Sequence, residues 1–388
     1  MGKTVVVLGA GVGGLSAATA LRGALPSEDK IVLADRSFDG VLGLSLLWVL
    51  RGWRTPDQVR VSSSKAALPG VDLLTTSVET IDTEAKTVHT ADGPVSYDAL
   101  VVALGASLNT AAVPGLQEAL DAGVAGQFYT LDGAARLHQQ ISEIQSGRII
   151  VLVAAVPFKC PAAPFEAAML IADQLGDKHA NGQIRVDTYT PDPLPMPVAG
   201  PDVGKALVSM MQGKNVGFYG EKTVTGIDVS GRTVMFADGT AETFDLLAVV
   251  PPHAPTAAAK STGLGPAGWI PVDPQTLATK ADGVWAIGDA TALLLANGKP
   301  LPKAAVFAEG EADVVAHQVA RSLGYDVPDK RFNGDGACYV EVGANQAAKG
   351  AGNFFTDPAP QVTLYEPSAE YHQEKVAQEA DWIARWNR

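Results

Sequence analysis

The chain has 388 residues, of which 47% are hydrophobic and 18% charged, and this balance predicts a globular protein of two or three domains. Its net charge of −13 excludes nucleic acid as a partner and disfavours electrostatic docking on anionic lipid, because both carry negative phosphates. The two cysteines and six scattered histidines form no CxxC or Cys/His cluster, so neither a disulfide framework nor a metal site is expected.

The apolar start of the chain, residues 4–8, runs directly into a glycine loop and is predicted to be a strand rather than a signal peptide. No uninterrupted apolar run reaches the roughly 18 residues that a membrane-spanning helix needs. The protein is therefore expected to be cytoplasmic, as a monomer or homodimer, and a peripheral contact with the inner face of the membrane is left open.

A first series of parallel-sheet strands is predicted at 4–8, 31–34 and 98–104, which are short apolar runs bounded by turns. A helical pattern from Leu15 to Leu21 connects the first two of these strands. After Gly105 the chain leaves this series through a connection that contains proline and glycine.

A second series begins near residue 147, with strands predicted at 148–153 and 184–189 and a helix from Ala167 onward. Residues 220–240 alternate as hairpin strands, with turns at Asp228–Gly231 and Asp238–Gly239.

The chain is then expected to return to the first sheet with residues 245–250 and to complete that sheet with 284–288. Residues 335–388 are interpreted as a separate small C-terminal region ending in a helix. This order predicts an α/β fold of two interleaved Rossmann-like domains with a small C-terminal α+β region. The expected divisions are a first nucleotide domain at 1–110 and 241–330, a second Rossmann-like domain at 111–240, and the C-terminal region at 331–388.

The loop GAGVGG at 9–14 lies between the first strand and the first helix, which is the setting that a dinucleotide site requires. Gly9 permits the tight turn, Gly11 lets a pyrophosphate approach, and Gly14 lets the helix pack on the strand. The helix N-terminus supplies amide donors for the phosphates. Asp35 ends the second strand, where an acidic side chain accepts hydrogen bonds from ribose hydroxyls.

Two further segments indicate FAD rather than NAD as the dinucleotide. The segment YDALVVALG at 97–105 resembles the strand-to-glycine motif of FAD-dependent disulfide reductases. The segment VWAIGDA at 284–290 resembles their C-terminal flavin motif, in which the aspartate bonds the ribityl chain. The remaining cofactor contacts are expected at Arg36, Val78, Ala103, Gly105, Gly288 and Asp289.

The second Rossmann-like domain has no glycine loop. After its first strand the turn reads AAVPFKCP at 154–161, with side chains and prolines where a pyrophosphate needs bare backbone. We infer that this domain has lost a dinucleotide and gained a thiol, Cys160.

Three segments resemble the sulfide:quinone oxidoreductases and the flavin subunit of flavocytochrome c sulfide dehydrogenase. FKCPAAPFE at 158–166 resembles their active-site loop, ACYVEVG at 337–343 resembles the strand with their second redox cysteine, and LPKAA at 301–305 resembles the Pro-Lys turn beside the flavin. The resemblance extends over essentially the whole chain.

The resemblance implies that Cys160 and Cys338 face each other on one side of the flavin as a redox-active pair. Hydrosulfide would attack their disulfide, and Cys338 would pass two electrons to FAD. Glu166 is the implied proton-transfer group, and Lys303 would stabilise negative charge on the reduced flavin. The alternatives are that the cysteines are small core residues, that Glu166 caps its own helix, and that Lys303 is a surface lysine.

The neighbours of Cys160 predict a lowered thiol pKa, because it lies near a helix N-terminus and next to Lys159. Many members of the resembled family have a third cysteine, which this chain lacks, so a direct disulfide is expected rather than a polysulfide bridge. Residues 37–43 offer no thiol, so FAD is expected to bind non-covalently.

The electron acceptor is the least determined feature. Phe354, Phe355 and Trp48 are candidates for the wall of a quinone pocket, although a core role is favoured for them. The C-terminal segment carries aromatic and apolar side chains that suit a membrane contact, but acidic residues crowd it, so packing against the protein itself is favoured. Those side chains are Tyr371, Trp382, Ile383 and Trp386.

The leading interpretation is an FAD-dependent oxidoreductase that oxidises sulfide, or a small persulfide, and reduces a quinone. Three alternatives remain open: a sulfide dehydrogenase subunit that donates to a cytochrome, an NADH:quinone reductase, and a non-enzymatic redox-sensing flavoprotein.

Overall fold

The computed structural model describes residues 2–388, which form two five-stranded sheets and five smaller antiparallel sheets. In chain order the strands are β1 (Thr4–Leu8), β2 (Lys30–Asp35), β3 (Asp39–Gly40), β4 (Val61–Ser62), β5 (Asp72–Thr75), β6 (Val78–Asp82), β7 (Thr87–Thr90), β8 (Gly93–Ser96), β9 (Ala99–Val102), β10 (Ala106–Leu108), β11 (Ala125–Gln127), β12 (Gly147–Val153), β13 (Ile184–Tyr189), β14 (Gly217–Tyr219), β15 (Val224–Asp228), β16 (Thr233–Phe236), β17 (Ala241–Thr243), β18 (Leu246–Val250), β19 (His253–Pro255), β20 (Val284–Ala286), β21 (Asp335–Gly343), β22 (Gln346–Asn353) and β23 (Gln361–Ser368).

The helices pack on the faces of these sheets. They are α1 (Val12–Ala24), α2 (Gly43–Arg51), α3 (Pro56–Val59), α4 (Leu116–Asp121), α5 (Leu131–Glu143), α6 (Ala163–Leu175), α7 (Asp177–Ala180), α8 (Pro201–Gln212), α9 (Ala257–Ser261), α10 (Ala305–Ser322) and α11 (Ala369–Trp386).

The first large sheet has the order β20-β9-β1-β2-β5, and every neighbouring pair in it is parallel. The continuous apolar runs of β1 and β9 are explained by burial on both faces, since residues on both sides of each strand are inaccessible to solvent. The three strands and the helix predicted for this sheet are confirmed, as is its last strand, which ends at Ala286.

The second large sheet has the order β11-β18-β12-β13-β14, again with parallel pairs throughout. The strands predicted at 148–153 and 184–189 are confirmed here. The prediction that residues 245–250 return to the first sheet is wrong, because β18 lies between β11 and β12. A boundary between domains at residue 240 therefore falls before a strand of the second sheet.

Helix α6 begins at Ala163, four residues before the predicted start at Ala167, with Pro164 in its first turn. Proline is common in the first turn of a helix because the amides there have no hydrogen-bond partner within the helix. The helix packs against α2, β13 and β21, and most of its side chains are buried. The hairpin of β15 and β16 is confirmed together with its Asp228 turn, in which the carboxylate accepts hydrogen bonds from the amides of Ser230 and Gly231.

The C-terminal region consists of the antiparallel sheet β21-β22-β23 and the helix α11. Trp382 and Trp386 are buried and join the hydrophobic core that also holds Val5 and Leu15. The prediction that this segment packs against the protein itself is thereby confirmed. Among residues 2–388, no helix combines the length and apolar character that crossing a bilayer requires.

Candidate functional site

Every residue predicted to bind the cofactor lies at or near the carboxyl edge of the first sheet. All five strands are parallel, so the segments that follow them emerge at the same edge. The strand β1 is followed by the glycine loop at 9–14, β9 by Ala103 and Gly105, and β20 by Gly288 and Asp289. Asp35 and Arg36 lie at the end of β2, and Val78 lies shortly after β5.

The glycine loop has the geometry of a pyrophosphate cradle. Gly9 has φ +99°, and a side chain there would meet the carbonyl oxygen of Ala103 at 2.4 Å. A side chain at Gly14 would meet the carbonyl oxygen of Gly9 at 1.7 Å, so the helix approaches the loop as closely as the motif demands. A side chain at Gly11 would meet nothing within 4 Å, so the backbone at the start of α1 faces open space. The residues present therefore fit a dinucleotide.

Asp35 has a second role that its sequence position does not reveal. One of its carboxylate oxygens accepts a hydrogen bond of 2.6 Å from the amide of Ala10, and the other accepts one of 3.1 Å from the amide of Ser37. The carboxylate thus orders the glycine loop and retains lone pairs for a ribose hydroxyl.

Lys303 is buried rather than a surface lysine. Its ammonium donates hydrogen bonds to the carbonyl oxygens of Asp289 at 2.7 Å and Thr291 at 3.0 Å, and it lies 4.0 Å from the centroid of the Trp269 ring. Burial lowers the pKa of Lys303 to about 8 and raises that of Asp289. The lysine therefore fixes the turn that carries Asp289 and brings positive charge to it.

Glu311 on α10 also holds this turn, and the sequence reasoning missed it. Its buried carboxylate accepts a hydrogen bond of 2.6 Å from the amide of Gly288, which has φ +65°. Burial raises the pKa of Glu311 to about 8.

The cysteine loop between β12 and α6 is tied to the Pro-Lys turn through its backbone. The amide of Cys160 donates a hydrogen bond of 2.7 Å to the carbonyl oxygen of Lys303, and Lys159 pairs with Lys303 as an isolated parallel bridge. Cys160 has φ +57°, in the left-handed region, and its carbonyl oxygen accepts from the amide of Ala163 at 2.9 Å. Cys160 is thereby held beside the turn that carries Lys303 and Asp289.

Cys160 and Cys338 line one cleft, whose cavity volume is about 50 Å³. Both are free thiols in the structure. Cys338 lies in the middle of β21, opposite Gly350 of β22. The rest of the cleft is mostly apolar, with walls that include Met196, Val203, Phe307, Phe354 and Leu364. The second sheet and the C-terminal sheet thus bring together two cysteines that are far apart in the sequence.

The prediction that the surroundings of Cys160 lower its thiol pKa is wrong. Although the Cys160 side chain is exposed to solvent, the protein packed around its thiol and the neighbouring charge of Glu166 raise its pKa to about 12. Lys375 and the Ala163 amide act in the opposite direction but are outweighed. Lys159 instead faces Tyr129, with its ammonium 5.9 Å from the ring centroid. Burial likewise raises the pKa of Cys338 to about 11. A thiolate formed at either position therefore has a strong tendency to take up a proton.

Glu166 is 1% exposed and forms an ion pair with Lys375 of α11. Burial raises its carboxyl pKa to about 7; the pair with Lys375 opposes this shift, and the charge of Glu341 adds to it. The N-terminus of α6 has no side-chain cap, so the alternative that Glu166 caps its own helix is excluded. An acid that titrates near neutrality thus lies close to both thiols.

A buried polar network lies next to Glu166 and includes Glu341, which is on β21, the strand that carries Cys338. Glu341, fully buried on β21, accepts hydrogen bonds from Trp48 at 3.2 Å and pairs with His372 at 2.9 Å. The sequence reasoning missed this network, although two signals were present. Glu341 interrupts an apolar strand, and His372 and Lys375 are three residues apart on one helix face.

The three aromatic residues considered for a quinone pocket have different surroundings. Trp48 is fully buried and bonded to Glu341, and Phe355 packs on Phe332, so both belong to the core. Phe354 lines the cleft that contains Cys160 and Cys338.

Comparison with known proteins places this site in context. Residues 3–312 match the family model described as pyridine nucleotide-disulphide oxidoreductase. Mitochondrial sulfide:quinone oxidoreductase of Dictyostelium discoideum is 26% identical over 349 residues, which cover 87% of this chain and 74% of that protein. The sulfide-quinone reductase of Aquifex aeolicus (strain VF5) is 25% identical over 378 residues, 92% of this chain and 84% of that protein. The X-ray structure of the sulfide:quinone oxidoreductase from the hyperthermophilic bacterium Aquifex aeolicus has a TM-score of 0.84 at 22% identity, covering 99% of this chain and 91% of that chain. This likeness confirms the predicted α/β fold.

Proposed function

The chain belongs to the pyridine nucleotide-disulphide oxidoreductase family, and on that premise we propose that it is an FAD-dependent enzyme that oxidises sulfide and reduces a quinone. The observation that carries the proposal is that Cys160 and Cys338 line one cleft, with Cys160 held against the Pro-Lys turn of the cofactor domain. The similarity to sulfide:quinone oxidoreductases over most of the chain supports the same substrates.

FAD is the cofactor, and we propose that it binds without a covalent link. Gly9, Gly11 and Gly14 would receive the pyrophosphate, and Asp35 the ribose of the adenosine half, with Arg36 and Val78 nearby. Ala103, Gly105, Gly288 and Asp289 would hold the ribityl and ring portion. When bound, FAD accepts two electrons from the thiols and passes them to the acceptor.

The cysteines carry the sulfur chemistry. A hydrosulfide ion attacks the Cys160–Cys338 disulfide, forming a persulfide on Cys160 and releasing Cys338 as a thiolate. A second hydrosulfide takes the outer sulfur of the persulfide as HS₂⁻ and leaves Cys160 as a thiol. Re-forming the Cys160–Cys338 disulfide then releases two electrons and one proton, which bound FAD would accept. Two hydrosulfide ions thus yield one HS₂⁻, which contains one zero-valent sulfur atom.

Glu166 donates and accepts the proton in these reaction steps. The thiolate released from the disulfide has a raised pKa, because it is buried in an apolar cleft. Glu166, with a pKa near 7, donates a proton to the pair as the disulfide opens and takes it back as the disulfide closes. Lys303 brings positive charge beside Asp289, where it would stabilise negative charge on a reduced cofactor.

A quinone is the proposed acceptor because it is named in both related enzymes. A cytochrome is the second candidate. Use of NADH as the donor is disfavoured, since the turn between β12 and α6 carries Pro157, Phe158 and Cys160 where a nicotinamide dinucleotide would need glycines.

Steady-state turnover tests this proposal against a redox sensor. We expect the purified FAD-loaded protein to reduce a short-chain ubiquinone analogue continuously with sulfide, at a rate of about 1 s⁻¹ or more, which is typical of enzymes. Cytochrome c and NADH, substituted for the quinone and for sulfide in parallel assays, should support much slower turnover. Reduction that stops after one equivalent per protein would contradict the proposal and favour a sensor.

A further inference from the structure

A second group of side chains lies on the segments next to the Cys160 loop. The strands β11, β18 and β12 are neighbours in one parallel sheet, so the segments that follow them emerge side by side at its carboxyl edge. These segments carry Tyr129, His253 and Cys160 respectively. The carboxyl edge of an open α/β sheet is where ligands bind.

Tyr129 and His253 each present a polar atom with no partner. The two residues are 6% and 8% exposed, and within residues 2–388 neither the Tyr129 hydroxyl nor the His253 Nε2 atom makes a hydrogen bond. Their rings are in edge contact, with centroids 4.9 Å apart and planes at 79°. Leaving a buried polar atom unpaired costs about 1–3 kcal/mol, so two adjacent unpaired atoms point to a ligand.

The chemistry of the two unpaired atoms is complementary. His253 Nδ1 lies 2.9 Å from the carbonyl oxygen of Pro251, so it carries the hydrogen and Nε2 is left as an acceptor. Burial lowers the pKa of His253 to about 4, which keeps the ring neutral. Burial raises the pKa of Tyr129, so its hydroxyl remains a donor. The pair therefore offers one donor and one acceptor.

The charges around the pair are the carboxyl group of Asp289 and two ammonium groups, Lys159 and Lys303, and the two cations favour a small anion next to Cys160. The Lys159 ammonium lies 5.9 Å from the centroid of the Tyr129 ring, and its charge also lowers the pKa of His253. The charges of Cys160 and Asp289 both raise the pKa of Tyr129, so its hydroxyl lies near both groups. A ligand at this position must accept from a hydroxyl, donate to an imidazole nitrogen and carry negative charge near an ammonium.

We propose that Tyr129 and His253 form the site that holds the hydrosulfide ion beside Cys160 before it attacks the disulfide. Hydrosulfide meets all three requirements, since its sulfur accepts from the Tyr129 hydroxyl, its S–H donates to His253 Nε2, and Lys159 balances its charge. A neutral polysulfur chain offers no donor and no charge. This inference rests on the proposed function and adds the residues that position the substrate.

Stopped-flow reduction of the FAD-loaded protein by sulfide, without oxygen, tests this site. Tyr129→Phe removes only the hydroxyl, and His253→Phe keeps an aromatic ring but removes the Nε2 acceptor together with the Nδ1 hydrogen bond to Pro251. In each variant we expect the sulfide concentration that gives half-maximal reduction to rise about tenfold, the effect of one lost hydrogen bond to a charged ligand, with the limiting rate within twofold of the wild type. Tyr97→Phe is the matched control, because Tyr97 also has a buried hydroxyl without a partner but precedes β9 at the opposite edge of a sheet.

The outcomes separate this site from the proposed function. Unchanged half-saturation in Tyr129→Phe, with rapid reduction of the wild type, would overturn the site and leave the function standing. A Tyr129→Phe variant that loses FAD or shifts its absorption maximum would also overturn the site, since the hydroxyl would then serve the cofactor. A wild-type protein that sulfide does not reduce would contradict both.

Discussion

Replacing Cys338 by serine is expected to slow the reduction of bound flavin by sulfide at least about a thousandfold, while FAD remains bound. The loss is large because a hydroxyl can neither form the disulfide nor accept the electron pair that sulfide donates. Removing one member of a catalytic unit typically abolishes most of its rate enhancement. Retention of FAD follows from the structure, because the cofactor residues lie on the first sheet while Cys338 lies on β21.

The measurement is anaerobic stopped-flow absorbance of the flavin at saturating sulfide. Dithionite, which needs no thiol, serves as the control and should reduce the variant as fast as the wild type. Cys160→Ser should show the same loss with sulfide, because the two thiols act as one unit. Fast reduction of Cys338→Ser by sulfide would remove Cys338 from the mechanism.

Glu166→Gln is expected to lower the limiting rate of sulfide-driven flavin reduction about a hundredfold, within the range that general acid–base catalysis contributes. The sign of the pH dependence follows from the raised carboxyl pKa of about 7. Below that pH Glu166 is protonated and can donate to the thiolate released from the disulfide; above it the carboxylate has no proton to give. In the wild type the limiting rate should therefore fall as the pH rises through about 7.

The pH profile is measured at saturating sulfide, so that the changing fraction of hydrosulfide does not enter. In Glu166→Gln the inflection near pH 7 should vanish, because the amide does not titrate. Glu374→Gln is the matched control on α11, where the half-buried Glu374 pairs with Lys349 and accepts a hydrogen bond from the Tyr339 hydroxyl, and it should retain the inflection. A Glu166→Gln variant with the wild-type rate and profile would show that the proton comes from another group.

The parts of the fold that were predictable share a property, namely that the local pattern alone determines them. The apolar run of β1 next to a glycine loop determines both a strand and a helix start, and the parallel direction of the first-sheet strands places Asp35 and Asp289 at one edge. The position of β18 was not predictable in this way. Its five apolar residues suit the middle of any parallel sheet, so the choice between the two sheets depends on tertiary packing.

In the candidate site, too, some features follow from local patterns and others depend on tertiary packing. Cys160, Cys338, Glu166 and Lys303 were identified from motifs, and the structure places the two thiols in one cleft. The ionisation of Cys160 was predicted wrongly, because the sequence shows the helix start and Lys159 but not the burial that outweighs them.

Other members of the site lie beyond the reach of local patterns. Lys375, the partner of Glu166, is brought to it by the packing of the C-terminal helix. The contact between Tyr129 and His253 depends on the same wrongly assigned strand, because β18 must lie beside β11 for their rings to meet.

The proposed function requires that the thiol pair, and not a nicotinamide, delivers electrons to the flavin. Anaerobic titration of the FAD-loaded wild type, first with sulfide and then in a separate sample with NADH, tests it most directly through the flavin absorbance. Sulfide should bleach the flavin completely within seconds, and NADH should cause little or no bleaching over minutes. Rapid bleaching by NADH, with a flavin that sulfide leaves oxidised, would contradict it.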